Sequence, residues 1–346
     1  MINAKIVRQV RVFSKVFMLL TVTSFLFRST LAVPGPTLDL DGLTKDSEVI
    51  VVGEVESLQN VRSTVIENQP ASISAKVLNA SIRVSGTLKG PSESEHLMIQ
   101  FVEPENFIGW QSVPEHTYAM YFLKQNSGRP FSFTEPFHRF LNAVPGVTPL
   151  GTTAIGRVVN QLGGVIASPK TSTGQKQTAI FDLSRSSSPI STSVLRLSLL
   201  SSEQEVKLSA AGALLQRNDI SALTIATDAL LSNSGIISEV LRHNLCYGIS
   251  EGVKDPKSVQ DLRRLLASPD TQVRKAAASA LRHTRADDAL NPLATLLDDP
   301  DQEIRYYSVI GLAEITGQTD WRPNRDVFLA SQQKYLTYWR NWARNR

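Results

Sequence analysis

A helical pattern recurs along the C-terminal half of this chain at a spacing near 31 residues. The clearest pair of segments reads LLASPDTQVR from Leu265 and LLDDPDQEIR from Leu296. Four segments are predicted to open a helix at an apolar residue whose ninth position is again apolar, and the openers are Val206, Ile237, Val273 and Ile304. Because a unit of this length buries its apolar face only against its neighbours, the pattern predicts an α-solenoid, a fold that serves mainly for binding.

Each of the last two repeats is predicted to be a pair of helices joined by a Pro-Asp turn. The first helices share an apolar face with one spacing, formed by Val259, Leu262, Leu265 and Leu266, and again by Leu290, Leu293, Leu296 and Leu297. A proline ends each first helix, and the aspartate after it can accept hydrogen bonds from the first N–H groups of the second helix. These segments resemble HEAT repeats, in particular the short type named after phycobilisome lyases, over about residues 190–317.

The resemblance implies where a partner would bind, since the second helices of HEAT arrays usually line the concave surface. The residues implied are Arg274, Lys275, Ser279, Arg282, Arg305, Tyr306 and Val309. An arginine directly after the apolar opener has a second interpretation, which is an ion pair with the turn aspartate of a neighbouring repeat. That alternative applies to Arg274 and Arg305, whereas Lys275, Arg282 and Tyr306 remain the freer candidates.

The repeats are assigned to residues 191–322, and an aromatic segment at 323–346 is predicted to be a helix that covers the last open core. Its apolar residues follow a helical spacing and include Tyr335, Leu336, Trp339 and Trp342. An alternative role for Trp339 and Trp342 is to bind a sugar or another protein.

Upstream of the repeats, between about Leu43 and Phe140, the apolar pattern changes to a period of two. Strands are predicted at 49–55, 81–85, 97–101 and 118–123, with 131–133 as a candidate fifth. Turn-forming residues separate them, which indicates a small antiparallel β-barrel or sandwich over residues 37–145. Residues 146–190, rich in Pro, Gly, Ser and Thr, are predicted to be a linker with a short helix.

The β segment resembles netrin-like, OB-type barrels of secreted proteins. The likeness rests on a start DSEVIVVGEV from Asp46, a turn TLKG from Thr87 and a close YAMYFLK from Tyr118. Members that inhibit metalloproteinases use an N-terminal cysteine and several disulfides, and this sequence has neither, so that activity is not implied. An OB-type face can also stack a ligand on aromatic rings, for which Trp110 is the candidate.

The N-terminus is predicted to be a secretory signal over residues 1–32. Five basic and no acidic residues accompany an apolar run from Val16 to Phe27, and small residues follow up to Ala32. The alternatives are an uncleaved anchor and a mitochondrial presequence. After removal of this segment, 31 basic residues face 32 acidic ones, so the sequence has no basic excess for nucleic acid, and no stable membrane span is expected.

Nothing in the sequence matches a known catalytic or metal-binding pattern. The five histidines are scattered without a metal-ligand pair, and the acidic residues at 298–303 fit a solvated repeat turn better than a calcium loop. The single cysteine, Cys246, lies on an apolar helix face and is predicted to be buried. No cofactor is expected.

The prediction is therefore a β domain followed by HEAT-like helix pairs, in a non-enzymatic secreted or periplasmic scaffold with a protein partner. Two alternatives remain: a lyase-like enzyme or accessory acting on a tetrapyrrole, and an envelope polysaccharide-binding protein that uses Trp110 or the final tryptophans.

Overall fold

The computed structural model describes residues 37–68, 71–91, 94–105, 110–126, 129–232 and 237–346. The chain divides into two compact units, and the division falls after Gly164. The predicted signal peptide, 1–32, lies outside the described residues. Within those residues, no helix has the length and apolar content needed to cross a bilayer.

The first unit is built around six strands. They are β1 (Val49–Asn68), β2 (Ala71–Lys89), β3 (His96–Pro104), β4 (Tyr118–Asn126), β5 (Arg129–Phe133) and β6 (Phe140–Asn142). Helix α1 (Leu40–Asp46) precedes them, and α2 (Ala154–Ala167) spans the division between the units. Each strand predicted from the sequence is present, but β1 and β2 are far longer than predicted.

The strand pairings form a closed circuit that begins and ends at β1. β1 pairs with β2, β2 with β3 and β5 with β4, all antiparallel, while β3 and β5 meet in parallel at Ile99 and Phe131. β4 then pairs with β1, with Leu123 opposite Val49, so five strands form a closed circuit, and β6 adds to β4. The parallel pair differs from the all-antiparallel prediction.

The core of this unit follows from the alternation of its strands. Val49, Val51 and Val55 of β1 and Tyr121 and Leu123 of β4 point into one apolar cluster. Residues two apart share a face of a strand, so one set of side chains fills the interior.

The described residues of the second unit form helices joined by turns. Its helices are α3 (Thr173–Ser184), α4 (Pro189–Ser198), α5 (Gln204–Leu215), α6 (Leu223–Leu231), α7 (Glu239–Tyr247), α8 (Val259–Leu265), α9 (Thr271–Thr284), α10 (Leu290–Thr295), α11 (Gln302–Thr316), α12 (Arg325–Ala330) and α13 (Gln332–Arg344). Helix α4 packs against α5, α8 against α9 and α10 against α11, while α6 packs against α5 and α8. The second helices α5, α7, α9 and α11 pack in succession, and α13 packs against α10 and α11, burying Leu336 and Trp339.

Helix α3 corrects the predicted linker at 146–190. It packs against α5 in the way that a second helix packs against the next one, and Ala179, Ile180 and Leu183 are buried. The Ser/Thr-rich composition of this segment reflects helix caps: the Ser172 hydroxyl accepts a hydrogen bond from the Gln175 N–H, and Gln175 returns one to Ser172.

The predicted turns are confirmed in the last two repeats, where Asp270 and Asp301 cap α9 and α11. The predicted start of the second repeat at Ile237 is wrong. Helix α7 is capped by Ser238, so the buried residue equivalent to Val273 is Leu241, four residues later. Because Ile237 is apolar, the sequence spacing placed helix α7 in the wrong register.

Candidate functional site

One position recurs on every second helix. The fourth residue after the N-cap is basic, namely Lys176, Lys207, Arg242, Arg274 and Arg305. Lys176 pairs with Glu203 at the start of the next second helix, and Arg242 donates to Asp270 at 2.7 Å. Lys207 forms no ion pair with the described residues. We call this series the basic ladder; its members other than Lys207 join one repeat to the element that follows it.

Arg274 shows the ladder contact in its most buried form. Its guanidinium donates two hydrogen bonds to the Asp299 carboxylate, at 2.9 and 3.2 Å, and two to the carbonyls of Ser268 and Pro269, at 3.0 and 3.1 Å. Asp299 is 7% exposed, so the pair is shielded from water. Arg274 therefore forms an ion pair with a turn aspartate of the neighbouring repeat, which was the second interpretation of this residue.

Arg305 occupies the same position one repeat later and makes the matching contacts. It donates to the carbonyls of Asp299 and Pro300 at 2.6 and 2.9 Å, and its remaining donors face Gln332 at the start of α13. Both arginines after the apolar openers thus connect repeats.

Lys275 and Arg282, the two freer cations, are also engaged inside the unit. The Lys275 ammonium donates to Glu303 at 2.7 Å, and this hydrogen bond lowers the pKa of the Glu303 carboxyl. The Arg282 Nε donates to Glu314 at 2.7 Å. A partner that used either cation would have to compete with these internal ion pairs.

Ser279 and Val309 are corrections, because both are buried. Ser279 is 4% exposed and Val309 is fully buried. A second helix packs against its own first helix and against the second helices on both sides, so most of its surface is covered. Tyr306 is half-buried, and its ring lies 5.4 Å from that of Phe328, beside a cavity of about 230 Å³.

Among α5, α7, α9 and α11, the large exposed apolar side chains lie on α7. Val240 is 70% exposed and Tyr247 is 52% exposed, and His243 and Asn244 between them are also exposed. These four residues are spaced at i, i+3, i+4 and i+7, so they form one stripe, which we call the α7 ridge. No hydrogen bond or ion pair joins their side chains to another residue in the described part of the chain.

The sequence carried a signal for the α7 ridge that was not used. Val240 and Tyr247 are apolar or aromatic, but they fall out of phase with Leu241 and Leu245, which fill the core. Apolar residues outside the core phase of an amphipathic helix indicate an interaction surface.

The predicted stacking residues have different environments. Trp339 is a correction: it is fully buried, and its indole N–H points at the Trp321 carbonyl at 3.4 Å, so it has no face open to a ligand. Trp342 packs edge-on against Trp339 and lines an open cavity of about 500 Å³, where the Arg346 guanidinium lies 5.4 Å from its ring centre.

Trp110 packs against a buried arginine. The Arg139 guanidinium lies 5.2 Å from the Trp110 ring and 5.0 Å from that of Phe101, and it pairs with Glu103. Burial lowers the pKa of Arg139, an effect that the hydrogen bond to Glu103 partly offsets. Trp110 therefore packs at the edge of the core against the charged guanidinium of Arg139.

The described residues contain no group of three or more His, Cys, Asp and Glu side chains placed to hold a metal ion. Cys246 is buried as predicted, and burial raises the pKa of its thiol to about 11. At neutral pH this thiol is a poor nucleophile.

One part of the chain is similar to a known family. Residues 238–313 match the family model described as HEAT repeats. The predicted HEAT character is therefore confirmed for this segment, and the second unit is a helical-repeat solenoid that contains HEAT repeats. No curated protein matches the chain.

Several solved structures are similar to the chain at low identity. An engineered protein is 19% identical, with 47% of this chain and 81% of that one covered and a TM-score of 0.35. A designed armadillo repeat protein is 20% identical, with 52% and 98% covered and a TM-score of 0.35. A second one, in complex with the peptide (KR)4, is 18% identical, with the same coverage and a TM-score of 0.34.

Proposed function

We propose that this protein is a non-enzymatic scaffold that binds a partner protein through the α7 ridge. The observation that carries the proposal is the exposure of Val240 and Tyr247 on a second helix whose other exposed side chains have no partner among the described residues. The cations of α9, by contrast, are held in internal ion pairs.

The energetics favour the α7 ridge as an anchor. Tyrosine is among the residues that contribute most when buried at an interface, since it combines a large apolar ring with a hydroxyl. Removing water from an exposed valine and an exposed tyrosine side chain contributes about 2–4 kcal/mol in total. Neither side chain has to leave an internal partner first.

The first unit supports a second element of the proposal. A closed circuit of five strands is the arrangement expected of an OB-type barrel, and the pairing of β4 with β1 supports that assignment. We assign the unit to a netrin-like, OB-type barrel of a secreted protein.

Secretion or export to the periplasm is part of the same proposal. It is supported by the basic and apolar residues that precede Ala32.

A capture experiment tests the scaffold function. The tagged chain is incubated with cell-envelope and culture-fluid proteins beside a Val240→Glu/Tyr247→Glu variant. The control is Leu197→Glu/Leu200→Glu, which changes two apolar residues of comparable exposure, 66% and 81%, on or just after the first helix α4. Far-UV circular dichroism establishes that all three chains are folded.

The expected result is a protein that the wild type and the control capture and the ridge variant does not. Purified, that protein should bind the wild type and the control with equal affinity in calorimetry. Equal capture by the ridge variant would refute the α7 ridge as the docking surface.

A further inference from the structure

Three arginines converge on one carboxylate at the C-terminal ends of α9 and α11. The Arg282 Nε donates to Glu314 Oε2 and the Arg322 Nε donates to Oε1, each at 2.7 Å, while the Arg285 guanidinium lies 3.3 Å from Oε2. Glu314 is 5% exposed. We call Arg282, Arg285 and Arg322 the arginine triad.

The arginine triad carries more positive charge than its internal partner neutralises. One carboxylate faces three guanidinium groups, and no other carboxylate of the described residues lies within 4.0 Å of any of them. Arg282 and Arg322 use only their Nε atoms on Glu314, so their terminal NH2 groups keep donors available. Arg285 and Arg322 are 56% and 46% exposed, so those donors are accessible from solvent.

The backbone at Arg285 supplies an independent observation. Its φ of 53° lies in the left-handed region, which residues with a Cβ rarely adopt. The residues that make the same turn after α5 and α11 are Asn218, with φ 57°, and Gly317, with φ 72°. Asn and Gly are the types that ordinarily occupy this conformation. An arginine in their place indicates that its side chain, rather than its backbone, is required there.

We propose that the arginine triad binds carboxylates of an acidic segment in a partner protein. The inference rests on the proposed scaffold function, since its ligand is part of a bound protein. The partner carboxylates would accept hydrogen bonds from the outward NH2 groups of Arg285 and Arg322, while Glu314 holds Arg282 and Arg322 in position. Guanidinium groups recognise carboxylates through paired N–H donors, which gives the site its preference for acidic side chains.

Anisotropy of a fluorescein-labelled oligoglutamate peptide, titrated with the full chain, tests this site directly. The variant is Arg285→Gly/Arg322→Ala. The matched control is Arg196→Ala/Arg263→Ala, which removes two exposed arginines from first helices. The variant should bind about tenfold more weakly than the wild type, because two charge-assisted contacts are lost, while the control changes little. An oligolysine peptide should not bind.

A thermal melt of Arg285→Gly alone separates binding from a purely structural role. Glycine adopts the left-handed region freely, so this variant should melt at the wild-type temperature or above it while binding oligoglutamate less tightly. Wild-type affinity in the double variant, or an equal loss in the control, would overturn the proposal. Arginine-dependent and tighter binding of an oligouridylate RNA would overturn the assignment to a protein segment.

The outcome is independent of the α7 ridge. Loss of ridge-dependent capture with intact oligoglutamate binding would refute the proposed docking surface alone, and the reverse result would refute the acidic ligand alone.

Discussion

Replacing Arg274 by methionine should remove the most buried contact of the basic ladder and destabilise the solenoid. The substitution keeps most of the apolar stem and deletes four hydrogen bonds, two of them to Asp299. Asp299 is then left as an unpaired carboxylate at 7% exposure.

The expected loss follows from that burial. Breaking a buried ion pair by removing one partner typically costs about 3–5 kcal/mol of unfolding free energy. Asp299 keeps one hydrogen bond, from the Asp301 N–H at 2.8 Å, so the lower end, about 3 kcal/mol, applies. Asp299→Asn removes the charge but keeps the shape, and should cost about 1–2 kcal/mol.

Urea unfolding, followed by both far-UV circular dichroism and tryptophan fluorescence, measures these losses. Two probes are needed because a repeat array can unfold in parts, and Trp321, Trp339 and Trp342 report only on the last repeats. Arg263→Met, on an exposed arginine of α8, is the control and should change stability little.

A double-mutant cycle completes the test. Arg274→Met combined with Asp299→Asn should cost less than the sum of the single losses by at least about 1 kcal/mol. A single loss below about 1 kcal/mol, or additive losses, would refute the view that this pair holds adjacent repeats together.

Three further outcomes follow from individual contacts. A Cβ on Gly252 would lie 1.9 Å from the Leu215 carbonyl oxygen, so Gly252→Ala should lower the free energy of unfolding by at least about 2 kcal/mol. At Gly174 the nearest atom to an added Cβ is 3.9 Å away, so Gly174→Ala should raise the free energy of unfolding by about 0.5 kcal/mol. Both changes are measured from the midpoints of urea unfolding. Because burial raises the pKa of Cys246 to about 11, Ellman's reagent at pH 8 should label the native chain slowly and the urea-unfolded chain completely. Burial alone would raise the pKa of Glu314, but the hydrogen bonds from Arg282 and Arg322 lower it below its usual 4.5. The native state therefore loses stability when this carboxylate is protonated, and the melting temperature should fall as the pH drops below about 4.5. The fall should be less steep in Glu314→Gln, which has no carboxylate at this position.

Local chemistry made the last two repeats readable from the sequence. A proline followed by an aspartate ends one helix and caps the next, so the register of α9 and α11 was determined within a few residues. The second repeat lacks this turn. Its cap is Ser238, one residue after Ile237, and apolar spacing alone placed the first buried residue of that helix four residues too early.

Burial of the second helices could not be read from a single helical pattern. Val273, Ala278 and Ser279 point in different directions around α9, yet all three are buried, because neighbouring helices cover the helix on several sides. Sequence spacing identifies one apolar face, and it does not show how many faces the neighbours cover. The predicted docking residues Ser279 and Val309 were wrong for this reason.

In the β unit, the full length of β1 and β2 was difficult to predict, for a different reason. The inward residues of β3, Leu97, Ile99 and Phe101, alternate clearly with exposed ones, whereas the second half of β1, from Ser57 to Glu67, is largely exposed and polar and gave no alternating pattern. Its strand conformation comes from pairing with β2 across a long hairpin, and a pairing of that kind leaves little trace in hydrophobicity.

The basic ladder tolerates variation in repeat length because its acidic partners are not fixed in sequence. Arg242 reaches an N-cap, Asp270, whereas Arg274 reaches Asp299, two residues before the next cap. A long, charged side chain that spans the gap between repeats can use whichever carboxylate the turn supplies. The ladder therefore connects repeats whose turns differ in length. A fixed hydrophobic spacing alone would not connect such repeats.

At the end of the basic ladder, Arg305 meets the amide of Gln332 instead of a carboxylate. With the amide oxygen turned toward the guanidinium, it lies 2.9 Å from both Nε and Nη2 of Arg305, which is the geometry of a two-bond arginine–carboxylate pair. Gln332→Glu should therefore stabilise the C-terminal cap by about 0.5–1 kcal/mol, and Gln332→Met should destabilise it by a similar amount. Tryptophan fluorescence in urea reports this directly, since Trp339 lies on the same helix. If the glutamate destabilised the protein, the ladder would not depend on the charge of its partner, and its regular basic residues would need another explanation.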